Sequence, residues 1–297
     1  MPKFRWYYIF PAIPLYVFAC LPMFILHGFS DILRLFLFYV IGYRKKVVLE
    51  NIRKSFPEKE EAWVQHTAFL FYRNLIDTML ETLSMATRTS QFYKNHVKVH
   101  KSEVLGEFTQ KGQPVILVCG HIANWEWAGQ GLHQTGIQVD VLYHPLTSEF
   151  FNWYIYFCRT RFGIHPIPMG NSLREMLQRK NIPSAITFIA DQTPGPEGCL
   201  WMEFLNQDTP VFLGVEKLAK KFNYPVVYGE MVRMGRGYYE IDFSLVTKEP
   251  KETAEFEITR KHMQLLEEYI IKHPENWLWS HRRWKHKRPV KTKDVSV

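Results

Sequence analysis

VILVCGHIANWEWAGQGL, Val115 to Leu132, is the stretch on which the reading of this chain turns. It begins as an unbroken apolar run, turns at Gly120, presents His121 and continues in a helical pattern that carries Glu126. A run that does not alternate reads as a strand buried on both faces, hence a parallel one. The loop from such a strand into the following helix is the usual place for chemistry in an open α/β sheet. Five positions separate His121 from Glu126, and at about 100° per residue they would stand roughly 140° apart on one helix. If His121 belongs to the turn and Glu126 to the first helical turns, the carboxylate can fold back on the imidazole. It would then fix the tautomer and leave the second ring nitrogen free to take a proton. His121 and Glu126 are therefore the candidate catalytic pair. Cys119 raises the alternative of a cysteine nucleophile, but as the last residue of a buried strand it fits the core better.

Outward from this stretch, strand and helix alternate. Lys59 to Met85 and Ser102 to Gln110 read as helices, and Gln138 to Tyr143 as a strand. Thr147 or Ser148 caps a helix running to Arg161, His165 to Pro168 is a short strand, and Asn171 or Ser172 caps a helix to Lys180. The apolar run Ala185 to Ala190 ends in Asp191 and Gln192, a polar pair that needs partners if it is buried. Thr209 before Pro210 signals a helix over Val211 to Phe222. Strands at Pro225 to Val232 and Tyr238 to Leu245 flank the turn Gly235-Arg-Gly237, and a helix from about Ala254 to Lys272 stops before Pro274. The expected fold is α/β, a mainly parallel sheet flanked by helices.

Composition narrows the function classes. Hydrophobic residues make up 46% of the 297 residues and charged residues 22%, which excludes a disordered chain and a polytopic transporter. Trp6 to Leu26 holds 21 residues without a charged side chain, a length that suits a membrane helix, though Pro11, Pro14 and Pro22 interrupt it. A second apolar stretch, Ile32 to Gly42, reads as too short to span and meets Arg44, Lys45 and Lys46, a cytoplasmic boundary signal. The expected division is an anchor over 1–46, an α/β domain over 47–288 and a basic tail over 289–297. The formal charge is +8, and from His281 onward seven lysines or arginines face one acid, Asp294. Such a surface suits anionic lipid or an acidic protein, and no nucleic-acid-binding motif accompanies it. Four scattered cysteines form neither a zinc pattern nor a disulfide framework, so no metal is expected and a reducing compartment is.

GHIANWE resembles the first motif of the late acyltransferases of lipid A synthesis, within the glycerolipid and lysophospholipid acyltransferase superfamily, where a His and an Asp or Glu are separated by four intervening residues. Further blocks are similar in order: NIRKSFPE after the anchor, RTRFG, ADQTPG, FLNQDTPVFLG and the terminal NWLWSHRRWK. The chain departs from the family pattern at Met169-Gly170 and at Gly214-Val215-Glu216. The resemblance implies a glycerolipid acyltransferase-like fold. It also implies an enzyme at the cytoplasmic face of a bacterial inner membrane that takes an acyl chain from acyl carrier protein or acyl-CoA, with no other cofactor. The acceptor would be a hydroxyl of a lipid A precursor, with His121 as general base and Glu126 orienting it. Asn124, Arg159, Arg161, Asp191, Gln192 and Thr209 are the implied substrate-binding residues, the arginines being suited to phosphate. Other acceptors (a lysophospholipid, a mannosylated phosphoinositide, an amino-acid lipid) and a non-catalytic lipid-binding protein are the alternatives.

Overall fold

The computed structural model describes residues 2–289. The chain opens with helices α1 (Ile9–Ala19), α2 (Met23–Leu35), α3 (Lys45–Ser55), α4 (Glu61–Ser84) and α5 (Ser90–His96). It continues through β1 (Val97–Val99), α6 (Glu103–Thr109), β2 (Val115–Cys119), α7 (Trp125–His133), β3 (Gln138–Tyr143), α8 (Glu149–Thr160) and β4 (His165–Pro168). Next come α9 (Ser172–Gln178), β5 (Ser184–Ile189), β6 (Leu200–Phe204), β7 (Gln207–Val211) and α10 (Gly214–Phe222). The long hairpin β8 (Val226–Gly235) and β9 (Tyr238–Thr247) and the helix α11 (Glu257–Lys272) complete the order.

Seven strands form one sheet in the order β1-β9-β8-β2-β5-β3-β4, and β6 and β7 form a separate ribbon. Every pair in the large sheet is parallel except β8 with β9, so the expected mainly parallel sheet is what the chain forms. Val115 to Val118 are all but fully buried, as an unbroken apolar run in a sheet covered on both faces requires. Helices α10 and α11 pack on one face, and α6, α7 and α8 on the other. The sheet order places β5, not β3, beside β2, in register with Cys119 opposite Ile189.

The N-terminal region differs from its expected layout. Trp6 to Leu26 is not one helix: α1 ends at Ala19, and Pro22 sits in extended backbone as the cap of α2. Proline removes a helical N–H and disfavours helix in the residue before it, which is why the break falls there. The apolar helix that results is longer on the other side. Met23–Ile41, which ends in a π-helical turn at Phe36–Ile41, spans 19 residues at mean hydropathy 1.7 and is long and apolar enough to cross a membrane. The start of the NIRKSFPE block, NIRKS, is helical and forms the last turns of α3, with Val48, Asn51, Ile52 and Ser55 on its buried side.

The helix expected at Thr209 is also displaced. Thr209 and Pro210 lie in β7, and α10 starts at Gly214. Pro210 is tolerated because the ribbon has only two strands and leaves it at an edge. The turn joining β6 to β7 is Leu205-Asn206, both at positive φ, the geometry a two-residue hairpin of this twist demands.

A buried ion cluster fastens α2 to the body. Asp77 on α4 is fully buried; it accepts from Ser30 Oγ at 2.5 Å, pairs with Arg233, and takes Arg236 Nη2 at 2.7 Å. Burial works to raise the Asp77 carboxyl, but the two guanidiniums and the hydroxyl outweigh it and hold it below the usual range. Removing Asp77 leaves the buried Arg233 without a carboxylate and Arg236 with Asp31 alone. Asp77→Ala is therefore expected to cost about 3–5 kcal/mol in chemical denaturation of the detergent-solubilised protein.

Candidate active site

His121 and Asp191 stand two residues beyond Cys119 and Ile189, the paired ends of β2 and β5. Parallel pairing in register therefore brings them together. His121 Nδ1 lies 2.6 Å from Asp191 Oδ1, and the His121 backbone N–H donates to Oδ2 at 2.7 Å. The indole N–H of Trp277 donates to the same oxygen at 2.8 Å. Burial alone would raise the Asp191 carboxyl, but His121, its backbone N–H and Trp277 together bring it down to about 2. An ionised Asp191 on Nδ1 fixes that nitrogen as the donor and leaves Nε2 with a lone pair. The Gln192 side-chain amide approaches Nε2 at 3.4 Å.

This geometry corrects the expected pairing of His121 with Glu126. Both oxygens of Glu126 are taken by Arg159, at 2.8 Å from Nε and 2.5 Å from Nη2. Burial pushes the Glu126 carboxyl up; Arg159 first, and His121 to a lesser extent, hold it below the ordinary carboxylate range. Glu126 thus acts on the imidazole through space, as a fixed negative charge, while Asp191 makes the hydrogen bond.

The turn between them is built tightly. A Cβ at Gly120 would lie 2.7 Å from Leu266 Cδ1 and 3.2 Å from Asp191 Oδ2, so glycine permits the close approach of the two strand ends. Ala123 adopts φ +47, a left-handed conformation that costs a non-glycine residue roughly 1–2 kcal/mol. Ala123 N–H donates to Asn276 at 2.9 Å, Thr78 Oγ1 donates to the Ala123 carbonyl at 3.2 Å, and Ile122 bridges Trp277. Asn124 caps α7 by accepting from Trp127 N–H at 3.0 Å, and its amide donates to Glu81 at 2.6 Å. Glu81 is fully buried and also accepts from Tyr239 at 2.6 Å, with His27 Nε2 at 3.0 Å.

A groove of about 780 Å³ ends at this site. Leu37, Leu75, Met79, Leu83, Leu146 and Phe151 line its length, and Glu126, Gln192 and His281 its polar end. A narrower apolar cavity between the sheet and α7 adjoins Cys119, Gly120 and Trp125.

The sequence pattern of the bacterial lipid A biosynthesis acyltransferases matches residues 3–286. The chain belongs to that family. The lipid A biosynthesis acyltransferase of Haemophilus influenzae is 21% identical over 234 residues, 77% of this chain and 72% of that protein. The solved 1-acyl-sn-glycerophosphate (LPA) acyltransferase PlsC from Thermotoga maritima is 14% identical. It aligns over 85% of this chain and 99% of its own at a TM-score of 0.39. Membership makes the protein an acyltransferase that acts on lipid.

The remaining expected site residues of this acyltransferase fall into two groups. Asp191 and Gln192 meet His121, while Asn124 supports the turn without lining the groove. Arg161 donates to the carbonyls of Met85 and Arg88, at 2.5 and 2.8 Å, closing the end of α4. Arg159 is paired to Glu126, Arg161 is engaged through Nη1 alone, and neither expected phosphate-binding arginine lines the groove. Thr209 is fully buried, donates to the Gln207 carbonyl at 2.8 Å and accepts from Trp284 at 2.7 Å, so it braces the terminal block instead of facing substrate. Cys119 donates weakly to the Phe188 carbonyl, and burial pushes its thiol up to about 12, which removes the thiolate a nucleophile needs.

Trp277, His281 and Glu81 carry roles that no local motif signals. The only sequence signal for the first two is the family-like ending NWLWSHRRWK. Burial brings His281 down to about 4, so at neutral pH it is uncharged and accepts the Thr193 N–H at 3.1 Å.

Asp191→Asn is expected to lower kcat for acyl transfer by roughly 10²–10⁴-fold with KM near that of the wild type, as loss of an oriented base does. Because the Asp191 carboxyl sits at about 2 against an ordinary 3.8, its stabilising effect is complete above the ordinary value. It is lost only as pH falls toward 2, so a wild-type kcat profile between pH 4 and 6 should show no step from this residue.

Proposed function

We propose that this acyltransferase moves a fatty acyl chain from an acyl carrier protein or CoA thioester to a hydroxyl of a lipid A precursor. The observation that carries the reading is the apolar groove that runs from Leu37 on the N-terminal helices to the polar end at Glu126 and Gln192, beside His121. A lipid hydroxyl delivered along it meets the free Nε2 of His121. That nitrogen removes the hydroxyl proton as the oxygen attacks the thioester carbon, and the tetrahedral intermediate collapses with loss of the thiolate. The imidazolium that forms is stabilised by Asp191 on Nδ1 and by the fixed charge of Glu126. The proton then passes to the departing sulfur, so no covalent acyl-enzyme is required.

The acceptor and donor rest on family membership and on charge. Arg282, Lys285 and Lys287 follow His281, which lines the groove, and a basic segment next to it in sequence suits an acidic carrier protein or the phosphates of CoA. The expected tail over 289–297 lies outside the described residues beyond Pro289. Exposed Phe10, Ile13, Phe24, Ile32, Phe36 and Val40 on the N-terminal helices favour immersion in a bilayer, in keeping with the cytoplasmic face of the inner membrane.

Two measurements test this reading. His121→Ala should lower transfer from a labelled acyl thioester to a lipid A precursor in mixed micelles by at least about 10²-fold. Mass spectrometry of lipid A from cells lacking the protein should show a species short of one acyl chain. Unchanged transfer by the variant would remove the base from the mechanism, and a complete set of acyl chains would move the activity to another lipid acceptor.

A further inference from the structure

A second polar cavity, about 230 Å³, lies between α4 and the tip of the β8–β9 hairpin, walled by Arg73, Asn74, Arg233, Arg236 and Glu275. Two of its guanidiniums are already engaged. Arg233 donates to Asn74 Oδ1 at 2.6 Å and pairs with Asp77; Arg236 holds Asp77 and, at 2.7 Å, Asp31. Arg73 has no carboxylate partner among the described residues, and its Nε is buried without an acceptor. Arg34, on α2, adds a fourth cation; it reaches Asp31 at 3.3 Å and stacks on Phe69, and its Nε is likewise buried without an acceptor.

Arg34, Arg233 and Arg236 each reach Asp31 or Asp77, and Glu81 adds a further negative charge near Arg233, so among these four cations Arg73 alone stands without an ion-pair partner among the described residues. Burial and the neighbouring arginines both disfavour the charged form of Arg73, and an anion seated in the cavity would relieve both penalties. A guanidinium with free donors presents the forked geometry that phosphate oxygens accept.

The position says how such a phosphate would arrive. The hairpin tip packs beside α2 through Arg236 and His27, and its exposed Met234 lies on the cavity wall. The apolar outer face of α2, with Phe29 and Ile32, is on the same helix as Asp31, which pairs with the cavity's Arg236. Asn74 and Glu275 also wall a small crevice that reaches Leu75, Thr78 and Trp125, and those three residues line the acyl groove. One face of α4 therefore connects the cavity to the catalytic end.

We propose that the Arg73 cavity is a phosphate subsite for a lipid headgroup, a role for which Arg159, paired with Glu126, and Arg161, outside the groove, are poorly placed. The assignment of that phosphate to the acceptor rests on the lipid A reading above. The alternative source of the same chemistry is a phospholipid of the surrounding bilayer.

The test compares wild type with Arg73→Gln and Arg73→Lys, using a phosphorylated acyl-disaccharide acceptor and its enzymatically dephosphorylated counterpart in mixed micelles. Loss of a charge-assisted contact predicts a KM for the phosphorylated acceptor raised about ten- to hundredfold by Arg73→Gln, with kcat little changed. Arg73→Lys should fall between, and all three proteins should share one KM for the dephosphorylated acceptor. If bilayer phospholipid is the source, both acceptors shift alike. Arg73→Gln then also loses affinity for phosphatidylglycerol vesicles while binding phosphatidylcholine vesicles as the wild type does. An unchanged KM together with unchanged vesicle binding, in a variant that melts with the wild type, overturns the subsite. If the wild type acylates neither acceptor, the lipid A reading fails by itself, and the vesicle comparison decides the Arg73 site.

Discussion

The site depends on the pairing of β2 with β5. Parallel strands in register end at the same edge of the sheet, so the residues that follow Cys119 and Ile189 emerge side by side. His121 and Asp191 meet there without any long side chain reaching across. A buried carboxylate is tolerated only when its oxygens are occupied, and the three donors on Asp191 come from β2's turn and from the terminal block at Trp277. The hydrogen bond that orients the His121 imidazole is thus the same one that makes burial of the acid affordable. Anything that separates β2 from β5, or lifts the terminal block, loses both together.

A second buried carboxylate repeats the arrangement one layer further out. Glu81 receives Asn124 from the catalytic turn, Tyr239 from β9 and His27 from α2. Asp77, one helical turn earlier on α4, receives Ser30 from α2 and both hairpin arginines. The apolar N-terminal helices are therefore not a tether attached to a self-sufficient enzyme. They are bonded through α4 to the N-cap of α7, and they contribute Leu37 to the wall of the groove. The candidate membrane helix and the active-site geometry share the same contacts.

The strand, the turn and the helix of Val115 to Leu132 were legible because an unbroken apolar run gives way abruptly to a period of 3.6. His121 in the turn and Glu126 on α7 followed from spacing alone, and β3 and β4 fall at their expected bounds. The partner of the imidazole was not legible. Local arithmetic favours an acid five positions away, whereas Asp191 lies seventy residues on and reaches His121 only because β5, and not β3, adjoins β2. Sheet order leaves no mark on a single sequence. Glu126 was drawn away by Arg159, another long-range partner, at the end of α8. Helix α10 was placed early because Thr209-Pro210 carries a start signal, and the overriding hairpin turn at Leu205-Asn206 has leucine where such turns favour Asn or Gly. At the N-terminus, the effect of Pro22 depended on where along the apolar run the chain could turn and pack on α4.

The division of labour between the two acids is open to direct observation in the low-field proton NMR spectrum of the detergent-solubilised enzyme. A His121 Nδ1 proton held by Asp191 at 2.6 Å should give a strongly deshielded resonance. It should be present in the wild type and in Glu126→Gln, and absent in Asp191→Asn and His121→Ala. A resonance that survives in Asp191→Asn and vanishes in Glu126→Gln would contradict the assignment and return Glu126 to the imidazole.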